Sequence, residues 1–159
     1  MGVGVIKDPI FIKMKIIKEQ AKQEKFDKLF IDVALRVAEM SHAQRRKVGA
    51  ILVKDGRIIS MGYNGTPPKF DNACEYIDQV DEMYTKPEVL HAEMNCIGKV
   101  ARSTESAEGA TLYLTCSPCF ECAKLLLTTG ISRVVYKDDY RRSGGISLLK
   151  LGNVRIEQI

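Results

Sequence analysis

Two apolar, β-branched runs, residues 48–54 and 57–63, are separated by Asp55-Gly56, a dipeptide suited to the two-residue turn of a β-hairpin. Before them Phe26, Leu29, Phe30, Val33, Ala34, Val37 and Ala38 recur at intervals of three and four, which predicts an amphipathic helix over 26–42. After them helix-type and strand-type patterns alternate. Helices are expected over 88–102, 118–129 and 146–151, with strands over 111–115, 133–137 and 154–158. Pro118 sits where the first turn of a helix tolerates proline, and Gly130 follows where a helix would stop. The order αββαβαβαβ predicts an α/β fold in which helices cover a five-stranded mixed sheet. Residues 64–88 carry no clear period, and a stretch that long in a compact domain is expected to be a functional flap or to hold a short helix.

The chain carries 24 Lys and Arg against 20 Asp and Glu, a net charge of +4. Six lysines against Asp8, Glu19 and Glu24 place +3 of that within residues 1–25. Those residues are therefore expected to form a basic extension, packed on the surface or partly mobile, ahead of a domain over 26–159. So nearly neutral a body argues against wrapping nucleic acid. No apolar run approaches the roughly 20 residues of a membrane span, and lysines interrupt the apolar start. A soluble cytoplasmic protein, in a host's cytoplasm were the chain viral, is the expectation.

The five cysteines are Cys74, Cys96, Cys116, Cys119 and Cys122. Without a secretory segment, this cluster points to metal or redox chemistry before disulfides. Cysteines at a helix start favour the thiolate, the form a metal requires. Cys119-x-x-Cys122 alone would also suit a redox dithiol. Joined to His91 it supplies three ligands, and three ligands with one open position are the arrangement of a catalytic zinc site. A structural site would draw a fourth ligand from Cys116, Cys74, Cys96 or His42. Against that, Glu93 follows His91 by two positions, where a carboxylate can reach a zinc-bound water without ligating the metal. The combination predicts a hydrolase.

His91-x-Glu93 followed by Pro118-Cys119-x-x-Cys122 is the signature of zinc deaminases. With residues 48–53, 62–67, 91–95 and 109–115, the chain from about residue 26 resembles the cytidine deaminase-like superfamily and, within it, the deoxycytidylate (dCMP) deaminases. The resemblance implies a three-layer α/β/α fold, with one zinc per subunit on His91, Cys119 and Cys122 and with Glu93 moving protons. It implies that Tyr140 lies over the base and that Asn64 meets the sugar, although Asn64-Gly65 would by itself also suit a turn. Arg45, Arg46, Lys47, Arg141 and Arg142 are candidate phosphate contacts. For the effectors dCTP and dTTP, carried with Mg2+, it points to Gly62, Tyr63, Gly65 and Arg102. It further implies a homo-hexamer. Two other readings stay open: a tRNA adenosine deaminase, for which the C-terminus lacks a basic helix, and a non-catalytic zinc-stabilised binding module, in which Glu93 only favours the helix dipole.

Overall fold

The computed structural model describes residues 8–141 and 144–159. Helix α1, Pro9–Ala38, begins where Asp8 accepts the backbone N–H of Ile10 at 2.9 Å with Pro9 at the first helical position, a combination that starts helices. The helix is therefore longer than the expected 26–42. Residues 9–25, expected to lie on the surface or be partly mobile, instead continue α1 outward as an exposed run of strong helix formers. Burial begins only at Asp27 and continues through Phe30, Ile31, Ala34 and Ala38.

Strands β1 (Gly49–Lys54) and β2 (Arg57–Tyr63) form the expected hairpin, and Asp55 and Gly56 both adopt positive φ. The unpatterned stretch holds neither a helix nor a bare loop but a short second hairpin, β3 (Glu75–Ile77) with β4 (Met83–Thr85). Then follow α2 (Ala92–Val100), β5 (Thr111–Cys116), α3 (Phe120–Leu127), β6 (Arg133–Asp138), α4 (Gly144–Leu151) and β7 (Arg155–Gln158). The main sheet has the order β2-β1-β5-β6-β7. It is mixed: β1 runs antiparallel to β2 and β5, whereas β5, β6 and β7 are parallel.

Strand residues alternate between two cores, as a period of two requires. Ile51, Val53, Tyr113 and Val135 face α1. Ala50, Leu52, Leu112, Leu114, Val134 and Tyr136 face the opposite layer, built from α2, α3 and α4. The result is the expected α/β/α sandwich around five strands. On the α1 side, Arg133 is buried and held by Asp27 at 2.6 and 2.8 Å, with Tyr113 donating to the same carboxylate at 2.7 Å. An ion pair this deep stands only because its polar atoms are satisfied. Among the described residues, no helix is long and apolar enough to cross a membrane.

Candidate active site

His91 caps the amino end of α2 and Cys119 that of α3. The carboxyl end of β5, at Cys116, delivers the chain through Ser117 and Pro118 to the α3 cap. The sandwich thus brings together residues 28 and 31 positions apart: His91 Nδ1 lies 3.5 Å from Cys119 Sγ and 3.4 Å from Cys122 Sγ. Zn–S bonds of about 2.3 Å and a Zn–N bond of about 2.0–2.1 Å at tetrahedral angles require N–S separations of roughly 3.5 Å. The three ligand atoms also lie within 4.8 Å of one another. The donor set and its spacing fit a zinc ion. Cys74, Cys96 and Cys116 are free and buried.

A backbone bond holds the first of the two cysteines. The Cys122 N–H donates to Cys119 Sγ at 3.4 Å, so the thiol caps the helix it begins. The thiol of Cys122, and after it His91, pull the Cys119 thiol down to about 3 against the opposing effect of burial. Cys122 is pushed the other way by its hydrogen bond to Cys119 and by burial.

Glu93, in the first turn of α2, is only 3% exposed. Burial pushes its carboxyl up to about 7, partly offset by its own backbone N–H and by His91. A carboxyl poised there can take and return a proton near neutral pH.

A cavity of about 540 Å³ opens onto this centre. His91, Glu93 and Cys119 line it, together with Asn64, Tyr140, Arg45, Arg46 and Arg141. Asn64 was expected to meet a sugar or to make a turn. Its side chain ties strand ends together: Oδ1 accepts the Val48 N–H and Nδ2 donates to the Arg46 carbonyl, each at 2.8 Å. One amide N–H is left over for a ligand. Tyr140 stands at the rim, about one-third exposed, whereas Tyr136 is buried in its strand. Arg46 pairs with Asp138 at 3.5 Å. Lys47 does not line the cavity, and Arg142 lies outside the described residues.

Sequence reasoning missed three residues here. Glu75 and Thr85, paired across the small hairpin, both line the cavity. Glu75 accepts the Gln44 and Arg45 N–H groups at 3.0 and 3.2 Å, and Thr85 accepts from the Arg45 guanidinium at 3.2 Å. Both belong to the stretch that carries no periodic signal. The third is Ser117, buried beside the α3 cap.

The expected effector residues separate. Tyr63 and Gly65 line a second cavity of about 280 Å³ with His42, Asn95 and Lys99. Asn95 donates to the Tyr63 carbonyl at 2.9 Å, and the Lys99 ammonium sits 5.7 Å over the Tyr63 ring. Gly62 is buried, and a Cβ there would collide with the Ala92 carbonyl and the Cys96 amide, so β2 and α2 touch backbone to backbone. Arg102 is exposed beyond the end of α2 and lines neither cavity.

A family model for the cytidine and deoxycytidylate deaminase zinc-binding region matches residues 24–138. The deoxycytidylate deaminase of Enterobacteria phage T4 is 32% identical over 71% of this chain and 78% of its own length. That of Mycobacterium phage D29 is 36% identical over 70% of this chain and 93% of its own. The crystal structure of the cyanophage S-TIM5 dCMP deaminase with dCMP and dUMP superposes with a TM-score of 0.80. It is 38% identical and covers 85% of this chain and 97% of that one.

Proposed function

The chain belongs to the cytidine and deoxycytidylate deaminase family and is a zinc-dependent hydrolytic deaminase, and on that premise we propose that it converts dCMP and water to dUMP and ammonia. The observation that carries this reading is a single cavity lined at once by two residues of a zinc-fitting triad, His91 and Cys119, a buried carboxyl and three arginines. Support for the substrate also comes from the similarity to the cyanophage enzyme solved with dCMP and dUMP.

His91, Cys119 and Cys122 would hold the metal. A zinc ion there supplies a Lewis acid that lowers the pKa of a coordinated water towards about 7. Glu93 takes the proton of the attacking water, delivers it to N3 of the cytosine ring, and passes a proton to the departing ammonia. Its burial keeps this transfer out of bulk water and sets its affinity for protons near neutrality. Tyr140 stacks on the pyrimidine, since an aromatic face suits any base. Asn64 offers its remaining N–H to the deoxyribose. Arg45, Arg46 and Arg141 neutralise the phosphate, as guanidinium forks do. Glu75 and Thr85 orient Arg45 for that contact.

Activation by dCTP and inhibition by dTTP, each with Mg2+, would act through the smaller cavity, with Tyr63 and Gly65 against the effector base. Asn95, on the helix that carries Glu93, bonds the Tyr63 carbonyl, which supports a short route between the cavities. A homo-hexamer in the cytoplasm completes the reading.

The test is ammonia release by the zinc-loaded protein on dCMP, CMP, deoxycytidine and a tRNA anticodon stem-loop, each with and without dCTP or dTTP plus magnesium. Turnover of dCMP alone, raised by dCTP and lowered by dTTP, is expected. Turnover of the stem-loop but not of dCMP would overturn the substrate. Turnover of dCMP untouched by either triphosphate would overturn the regulation.

A further inference from the structure

Two exposed surfaces carry apolar and charged groups that the chemistry above does not use, and their compositions are complementary. The first is the free half of α1. Residues 9–25 extend roughly 25 Å at 1.5 Å per residue, exposed on every side. Ile10, Met14, Ile17 and Ala21 recur at four, three and four, forming one apolar stripe, with Ile10 68% and Ile17 53% exposed. Five lysines and two glutamates share this segment. The second surface is the β3–β4 hairpin with its flanks. Between residues 71 and 88 stand six acidic residues against Lys86 alone. Apolar groups are exposed here too: Ile77 at 62%, Val80 at 75%, and a stacked pair, Tyr76 and Tyr84, with ring centroids 5.7 Å apart.

Apolar surface of this extent, rimmed by charge, marks an interaction site. We propose that the free half of α1 docks on the β3–β4 hairpin of a second copy of this chain. Charge selects this occupant. If two such helices paired along their apolar stripes, a parallel pair would set Lys13 against Lys18 and an antiparallel pair would set Lys18 against Lys25. The acidic hairpin instead gives the lysines opposite charges and the isoleucines apolar neighbours. Within one chain the free half of α1 makes no such contact, because its residues are all exposed. A helix-to-hairpin contact is head-to-tail, so it propagates from copy to copy and closes into a ring when the rotation allows. Because Glu75 and Thr85 line the main cavity, each docked helix would brace the hairpin beside its neighbour's site. This goes beyond the assembly size proposed above and is independent of the substrate.

A charge-swap experiment on the full zinc-loaded chain tests it by sedimentation velocity. One variant reverses the helix, Lys15→Glu with Lys18→Glu and Lys22→Glu. The other reverses the hairpin flank, Asp81→Lys with Glu82→Lys and Glu88→Lys, which takes residues 71–88 from a net negative to a net positive charge. All six positions are exposed, and far-UV circular dichroism and zinc content report that both variants fold. Each alone should lose the parent's assembly, with at least a tenfold higher dissociation concentration. Mixing the two should restore it, since every helix then meets a hairpin of opposite charge. As a second readout, Ile17→Cys with Val80→Cys in one chain should form interchain disulfides on mild oxidation. The proposal is overturned if both variants keep the parent's mass, if mixing restores nothing, or if the parent is monomeric and binds phosphatidylserine vesicles through this helix.

Discussion

The buried hydroxyl of Ser117 accepts the backbone N–H of Tyr140 at 2.7 Å. That bond joins the turn leading into the Cys119 cap to the loop that carries the aromatic residue at the cavity rim. The Ser117 N–H also donates to the Asp138 carbonyl at 2.8 Å, so one residue fastens both strands where they meet the cavity.

Ser117→Ala keeps the backbone bond and removes the other. The Tyr140 loop then loses its fixed distance from the metal centre. We expect KM for dCMP to rise about five- to tenfold while kcat falls less than threefold, because the change weakens binding of substrate and transition state alike. Stability should change by about 1 kcal/mol. Steady-state kinetics and thermal melts on the same preparation check both.

Gly62 and Gly65 lie three residues apart but differ in what a methyl group would meet. At Gly62 it would strike the backbone of α2 at Ala92 and Cys96, whereas at Gly65 the nearest atom is a Tyr63 ring carbon at 3.9 Å. Gly62→Ala should cost about 1–3 kcal/mol by overpacking. It should also lower zinc occupancy, since α2 carries His91. Gly65→Ala should leave zinc content and stability near the parent's, as metal analysis and chemical denaturation would record.

Burial raises the pKa of Asp27, but hydrogen bonds from Arg133, Tyr113 and Gln23 outweigh it, so the carboxyl lies below the ordinary aspartate value of 3.8. The unfolded chain therefore takes up this proton first. The resulting stability is fully present above the unfolded value and is lost as pH falls through the folded one. Denaturation midpoints should accordingly drop below about pH 4, and less steeply in Asp27→Asn. Asp27→Ala, which leaves the buried Arg133 guanidinium with Glu157 as its remaining carboxylate, should cost about 1–3 kcal/mol at pH 7.

Much of this architecture was legible because it rests on periodic burial. Five strands and three of the helices follow from apolar spacing, and the metal ligands follow from residue types that have few other uses at helix starts. Where the reading fell short, the information was not periodic. Asp8-Pro9 opens a lysine-rich run in which Phe11, Ile12 and Ile16 lie off the stripe of Ile10, Met14, Ile17 and Ala21, so the period was masked and the helix it opens looked like an appendage. The β3–β4 hairpin is three residues per strand, too short for alternation to register. Glu75, Thr85 and Ser117 act through hydrogen bonds to groups 20 to 40 positions away, which no local pattern announces. Asn64, expected as a sugar contact or a turn residue, has its side chain engaged instead by the backbone of residues 46 and 48, which keeps one N–H free.

The central claim is that His91, Cys119 and Cys122 hold a zinc beside which Glu93 moves the proton in dCMP hydrolysis. Its most direct test measures zinc per chain and dUMP formation in the parent and in Glu93→Gln. The account predicts one zinc per chain in both proteins, with turnover in the parent and a loss of at least about a hundredfold in the variant. A Glu93→Gln protein that keeps its zinc and the parent's rate would contradict the role of Glu93, and a zinc-loaded parent that forms no dUMP would contradict the reaction itself.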